Sequence, residues 1–408
     1  MSPVVRALVP LLVSVLAVAS CKQEIVPEAY VPTGAHDAYR HGLAQAGLDR
    51  TALGRDWAKA ASLALRSPTE VETPFAETFH VDPAEAFAIG YRFTVRRGQR
   101  TEVKLEIDPT SEWRIFLDLF RAPEAVDEVP EPVATGGEGD LRLAFEPRRD
   151  GVYLLRVQSE LLRGGTCSLV IRNVASLEFP VEGSGSGAIG SSFGAPREGG
   201  RRAHHGVDIF APRGTAVLAT SRARVRRVAE WKLGGRVVWL EDPERDLRLY
   251  FAHLDTQDVV EGTWVSPGDR IGTVGNSGNA RTTPPHLHFG IYVRGEGPID
   301  PYPFLFQPSQ AIPSLRADRS SLGAWVRTGS KSVPLTAGPR RESAPLRELS
   351  PGTPLRVLGA TGSKLRVELS DGMSGFIPFV ETDELQSRPG LFPHRRHGGK
   401  TSPQVTVE

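Results

Sequence analysis

Ten histidines are spread over 408 residues, and five of them fall between positions 204 and 288. His36, His41 and His80 come earlier, and His394 and His397 lie near the end. A single histidine is ordinarily a solvated or satisfied side chain. Several in one segment, with a carboxylate among them, are what a metal or acid–base site requires. In Ala203-His204-His205-Gly206-Val207-Asp208, His204 and Asp208 are four residues apart. A straight strand would hold them about 13 Å apart, too far for one ion. The chain must bend between them, and Gly206 permits this through a positive φ or a close backbone approach. In Pro285-His286-Leu287-His288-Phe289-Gly290-Ile291, the residues Leu287, Phe289 and Ile291 mark one apolar face of a strand. His286 and His288 then share the opposite face, about 6.6–7 Å apart. His253 stands at the exit of a third strand, Tyr250-Phe251-Ala252-His253-Leu254.

Imidazole and carboxylate donors suit zinc, and three protein ligands leave a fourth position for water. A zinc ion so held polarises a carbonyl and lowers the pKa of its water towards about 7. The sequence has no HExxH motif, which excludes the helical zinc-protease arrangement.

The surrounding chain is long enough for two or three domains. Its 49 Lys+Arg against 48 Asp+Glu leave a formal net charge of +1, which argues against a nucleic-acid binder. An apolar share of 39% with 24% charged residues is ordinary for folded domains. Two cysteines form no disulfide framework. The apolar run Ala7 to Ser20, preceded by Arg6, is too short to span a membrane and reads as a signal peptide over residues 1–20. It ends in Val18-Ala19-Ser20-Cys21, which resembles the lipobox of bacterial lipoproteins, with Cys21 as the acylated residue. The resemblance implies an exported, membrane-anchored lipoprotein of the cell envelope, and in an envelope with two membranes Lys22 after the cysteine favours the outer one.

Residues 21–33 read as a tether and 34–68 as a helical hairpin. In the hairpin, Asp49 or Thr51 can cap the second helix, Leu53, Trp57 and Ala60 fall at helical spacing, and Pro68 stops it. Period-two segments such as Tyr91, Phe93, Val95 and Val103, Leu105, Ile107 predict a β-sandwich over 74–178, which resembles the small jelly-roll modules that accompany secreted peptidases. Cys167 shares parity with Leu169 and Ile171, which predicts a buried, inert thiol. Residues 307–321 read as a linker. With short strands at Leu355–Leu358 and Leu365–Leu369, an Asp371-Gly372 turn and Gly375-Phe376-Ile377-Pro378, residues 322–385 resemble the bacterial SH3-like barrels attached to wall-degrading enzymes, and 386–408 read as a disordered tail.

The histidine segment itself carries the most specific resemblance. Phe193-Gly194-Ala195-Pro196-Arg197, His204-x-Gly206-x-Asp208, Tyr250-x-x-His253-Leu254, the Gly268 to Gly278 stretch and His286-x-His288 occur in that order. Residues 184–306 thus resemble the lysostaphin-type, or LytM-domain, zinc metallopeptidases that cut peptide cross-links in bacterial peptidoglycan. The resemblance implies a mainly β protein whose antiparallel sheet is bent around a groove. It implies one Zn2+ per chain on His204, Asp208 and His288, with His253 and His286 as the catalytic histidines. A water activated by the ion would attack the scissile carbonyl. Arg197, Tyr250 and Asn276 would contact substrate, peptidoglycan stem peptides, and His205 would flank the groove. Other cell-wall enzymes are expected partners, and the alternative activity is that of a non-catalytic LytM-like activator of a wall amidase.

Overall fold

The computed structural model describes residues 30–384, apart from 109–112, 126–127, 138, 307–310, 313–320 and 380–381. The signal peptide, Cys21, most of the tether and linker, and the tail lie outside the described residues. Among the described residues, no helix is long and apolar enough to cross a membrane. The chain is mainly β, and among the described strands the pairing is antiparallel except where Thr69–Glu70 runs parallel to Ala88–Val95.

Two helices, Ala35–Gln45 and Ala52–Arg66, form the hairpin. Thr51 caps the second through its hydroxyl, which accepts from the Gly54 N–H at 3.1 Å. The inward face is Gly54, Trp57, Ala61 and Ala64, so Leu53 and Ala60 flank the stripe rather than define it. Trp57 is 1% exposed, and its indole N–H donates to the Ser159 carbonyl at 2.8 Å.

The sandwich that follows has one sheet ordered Thr69–Glu70, Ala88–Val95, Gly151–Ser159, Ile115–Arg121, Glu131–Thr135. Its second sheet runs Phe75–Val81, Gly165–Ala175, Gln99–Ile107, Arg142–Phe145. Cys167 lies in the core between them, where burial pushes its thiol up to about 12.

The C-terminal strands pack their own core around Val326, Leu335, Val357, Val367 and Ile377. They also continue the sandwich's second sheet: Pro354–Thr361 pairs with Phe75–Val81, Thr78 facing Ala360 and Phe79 facing Gly359. Arg366 meets the buried Glu77 at 2.6 Å, and the Tyr91 hydroxyl donates to the same carboxylate at 2.7 Å. Sequence alone treated the two regions as separate modules. Because strand pairing is a backbone interaction, no side-chain pattern announced the junction.

The histidine-bearing domain is built on an antiparallel sheet. Its strands are β1 (Val207–Phe210), β2 (Ala223–Trp231), β3 (Gly235–Asp242), β4 (Leu247–Gln257), β5 (Arg270–Val274) and β6 (His286–Val293). The order across the sheet is β1-β6-β4-β3-β2, with β5 pairing to β4. One face is the core: Val207, Ile209, Val238, Leu240, Leu249, Phe251, Leu287, Phe289 and Ile291 are completely buried. Each such side chain is worth about 1.5–3 kcal/mol in burial, which pins the pleat. With Leu287, Phe289 and Ile291 inward, His286 and His288 must point to the other face.

Candidate metal centre

Asp208 of β1 sits directly opposite His288 of β6, and Phe210 opposite His286. Directly opposed residues on one face have Cβ atoms about 4.5–5.5 Å apart, so the sheet register alone brings the carboxylate to the imidazole. His204 arrives from the loop before β1. Gly206 makes that approach feasible: a Cβ there would meet the Phe289 carbonyl oxygen at 2.4 Å and the His288 ring at 2.8 Å. Of the two uses expected for Gly206, the structure shows close approach, and its φ is not positive.

Three atoms converge. His204 Nε2 lies 2.9 Å from His288 Nδ1 and 3.0 Å from Asp208 Oδ1, and His288 Nδ1 is 3.0 Å from the same oxygen. His204 Nδ1 is 2.9 Å from the Ser192 carbonyl. A carbonyl only accepts, so Nδ1 carries the hydrogen and Nε2 presents a lone pair to the cluster. Burial holds His288 below its ordinary value and so disfavours the imidazolium, leaving a neutral ring. Burial also opposes the charge on Asp208, but the His204 and His288 imidazoles outweigh it and keep the carboxyl well below the usual carboxylate range. When His288 carries its hydrogen on Nε2, its Nδ1, His204 Nε2 and the anionic Asp208 oxygen all turn lone pairs to one point, which is where a cation would sit. Donors this close can all reach one ion at zinc bond lengths of about 2.0–2.2 Å. The set fits zinc, and these are the residues among those described that can jointly hold a metal.

The other two histidines stand beside this cluster. The His286 ring is 5.1 Å and the His288 ring 6.0 Å from that of His253. His286 Nδ1 is 2.9 Å from the Pro284 carbonyl and His253 Nδ1 2.9 Å from the Ser277 carbonyl. By the same argument both rings keep Nε2 free as an acceptor. His286 Nε2 is 4.0 Å from Asp208 Oδ1. Burial, then the neighbouring His286 and His288, push His253 down to about 4, so it is neutral at pH 7.

His253 reaches this face by a device that alternation does not predict. Tyr250 and Ala252 already point to the site, so simple parity would send His253 into the core. On β4, Ala252 and His253 together oppose the single residue Val237 of β3, because Phe251 pairs with Val238 and Leu254 with Arg236. This is a β-bulge, and His253 takes a left-handed φ of 61° within it. The bulge turns the ring onto the histidine face.

The cluster lies in an open groove of about 530 Å³ lined also by Arg197, Arg202, His205, Leu233, Tyr250 and Thr283. Tyr250 faces His288 edge-on at 5.8 Å, and burial pushes its phenol up to about 12, so it remains a hydroxyl donor. Arg197 is engaged by the protein itself. Its guanidinium donates to Asp208 Oδ2 and to the Ser191 hydroxyl, each at 2.7 Å, which orients the carboxylate so that Oδ1 meets the imidazoles. Asn276 lies outside the groove lining; its side-chain oxygen accepts from Arg213, and its amide faces the Arg281 and Thr283 carbonyls. The partners Ser192, Ser277 and Pro284 had no signal in the sequence, since each contributes only a backbone carbonyl.

Residues 202–301 match the profile of peptidase family M23. This part of the chain is similar to that family. The L-Ala–D-Glu endopeptidase of Bacillus subtilis (strain 168) is 40% identical over 117 residues, 26% of this chain and 36% of that one. The murein hydrolase activator NlpD of Escherichia coli (strain K12) is 32% identical over 135 residues, 33% of this chain and 32% of that one. The solved catalytic domain of the antimicrobial peptidase lysostaphin from Staphylococcus simulans has 32% identity and a TM-score of 0.26, covering 28% of this chain and 89% of that chain. The chain thus spans about a third of the length of these two curated relatives. The M23 match contains all five residues named from the motifs: His204, Asp208, His253, His286 and His288.

Proposed function

We propose that this chain is a zinc-dependent endopeptidase hydrolysing peptide cross-links of bacterial peptidoglycan. The observation that carries the reading is the convergence of His204 Nε2, Asp208 Oδ1 and His288 Nδ1 within the segment similar to family M23, flanked by two histidines with free Nε2 atoms. A zinc ion held by the three would supply Lewis acidity, polarising a carbonyl and making water acidic near neutral pH.

The chain's own residues do the remaining work. One of His253 and His286 accepts a proton at Nε2 from the incoming water as the scissile carbonyl is attacked. A ring so protonated becomes a donor, either to the carbonyl oxygen as it gains charge or to the departing amine. The backbone carbonyls on both Nδ1 atoms fix ring orientation, so little reorganisation is needed when charge develops. Tyr250 offers a further hydroxyl donor along the groove.

The substrate class rests on the kinship with the Bacillus endopeptidase. The reading also places the protein outside the cytoplasm, tethered through Cys21, on the strength of the lipobox-like sequence. The second reading, an activator of a wall amidase, is favoured by the kinship with NlpD. One assay separates them. Purified insoluble peptidoglycan is incubated with the zinc-loaded chain, alone and with a wall amidase. The endopeptidase reading predicts new peptide amino termini from the chain alone. The activator reading predicts none, with strong stimulation of the amidase.

A further inference from the structure

The histidine face of the sheet does not end at the metal centre. Trp239 of β3 is level with Tyr250 of β4, which is level in turn with Gly290 of β6, so these three form one row across the sheet. Gly290 adds no side chain, and the row lies next to the one that holds Ala252, His288 and Asp208. Trp239 packs against Tyr250 at 4.5 Å and Tyr292 at 5.1 Å. Trp231, at the tip of the β2–β3 hairpin, extends the group outward: its ring lies 6.2 Å from Tyr250, inclined by only 24°. Trp231 is 42% exposed, and Leu233 in the same hairpin is 57% exposed and lines the groove. A large indole held half in water beside a peptide groove has surface left for a ligand.

We propose that this aromatic ledge is a saccharide subsite, with Trp231 as the platform for a pyranose ring of the glycan strand that carries the stem peptide. The inference rests on the peptidoglycan reading and deepens it. A pyranose presents a face of C–H bonds, weakly positive, which complements the negative face of an indole. Continuity with the groove selects this occupant. Tyr250 belongs both to the groove lining and to the ledge. Trp231 to Tyr250 to His288 are ring-to-ring steps of 6.2 and 5.8 Å, a reach of at most about 12 Å. That equals three to four extended residues at about 3.3–3.6 Å each. A peptide joined covalently to a sugar and cut within its own first few residues has this spacing. A free peptide would leave the ledge empty.

The test uses two synthetic cross-linked peptides of identical sequence, one bearing N-acetylglucosaminyl-N-acetylmuramyl disaccharide on its stem and one acetylated instead. With the full zinc-loaded chain, kcat/KM should favour the disaccharide substrate by about tenfold. Trp231→Ala should bring that ratio close to one, and Trp231→Phe, which keeps a π face, should retain most of it. Tryptophan emission titrated with the two compounds supplies a readout independent of turnover, with tighter saturable quenching expected for the disaccharide form and loss of that difference in Trp231→Ala. Equal kcat/KM for both substrates in the unaltered chain would overturn the ledge while leaving hydrolysis intact. Absence of cleavage with sugar-dependent quenching would overturn hydrolysis while leaving the ledge standing. Quenching indifferent to the sugar would also refute the ledge.

Discussion

Replacing His288 with alanine is expected to strip zinc from the purified chain and to abolish hydrolysis of peptidoglycan. His288 Nδ1 is one corner of the three-atom cluster, 2.9 Å from His204 Nε2 and 3.0 Å from Asp208 Oδ1. Losing even an outer partner of a metal ligand typically costs about 10–100-fold in affinity, so losing one of three ligands should exceed that. The substitution leaves the fold's main support intact, because the adjacent Leu287 and Phe289 supply the buried face of β6. Metal content per chain by elemental analysis, alongside a thermal melt, checks the prediction. A folded variant that keeps one zinc per chain would show that the ligand assignment is wrong.

His253→Ala should behave differently: zinc stays, and turnover falls by about 10²–10⁴-fold, the usual contribution of a positioned acid–base group. The reason is its place in the site. The His253 ring stands 6.0 Å from that of His288, outside the three converging donors, with Nδ1 tied to the Ser277 carbonyl and Nε2 free. Burial keeps it neutral at pH 7, in the form that accepts a proton. The two substitutions together separate holding the ion from moving protons. Wild-type rates in His253→Ala would remove it from the chemistry, and loss of zinc would move it into the ligand set.

The two variants also mark how far the sequence could be read. His286 and His288 were legible because their apolar neighbours set a period of two, and burial of Leu287, Phe289 and Ile291 enforces it. The need for Gly206 was legible as well, since four residues of straight strand cannot bring His204 to Asp208; contact with the His288 ring and the Phe289 carbonyl supplies the specific reason. The placement of His253 was not legible. It depends on a bulge and a left-handed backbone that run against local alternation. Arg197 stood out as a basic residue beside the groove, but its hydrogen bond to Asp208 follows from a fold of the loop that no period encodes. The junction between the sandwich and the C-terminal strands was equally hidden. It is carried by backbone pairing at Thr78 and Phe79 and by a buried Glu77–Arg366 pair whose members are 289 positions apart.

On the proposed reading, one divalent ion shared by His204, Asp208 and His288 would enable this chain to break amide bonds of the cell wall. Counting amino groups released from purified peptidoglycan by chelator-stripped chain, before and after one equivalent of zinc, tests it most directly. The stripped chain should release none, and the single equivalent should restore release in full. Equal release with and without zinc would contradict it.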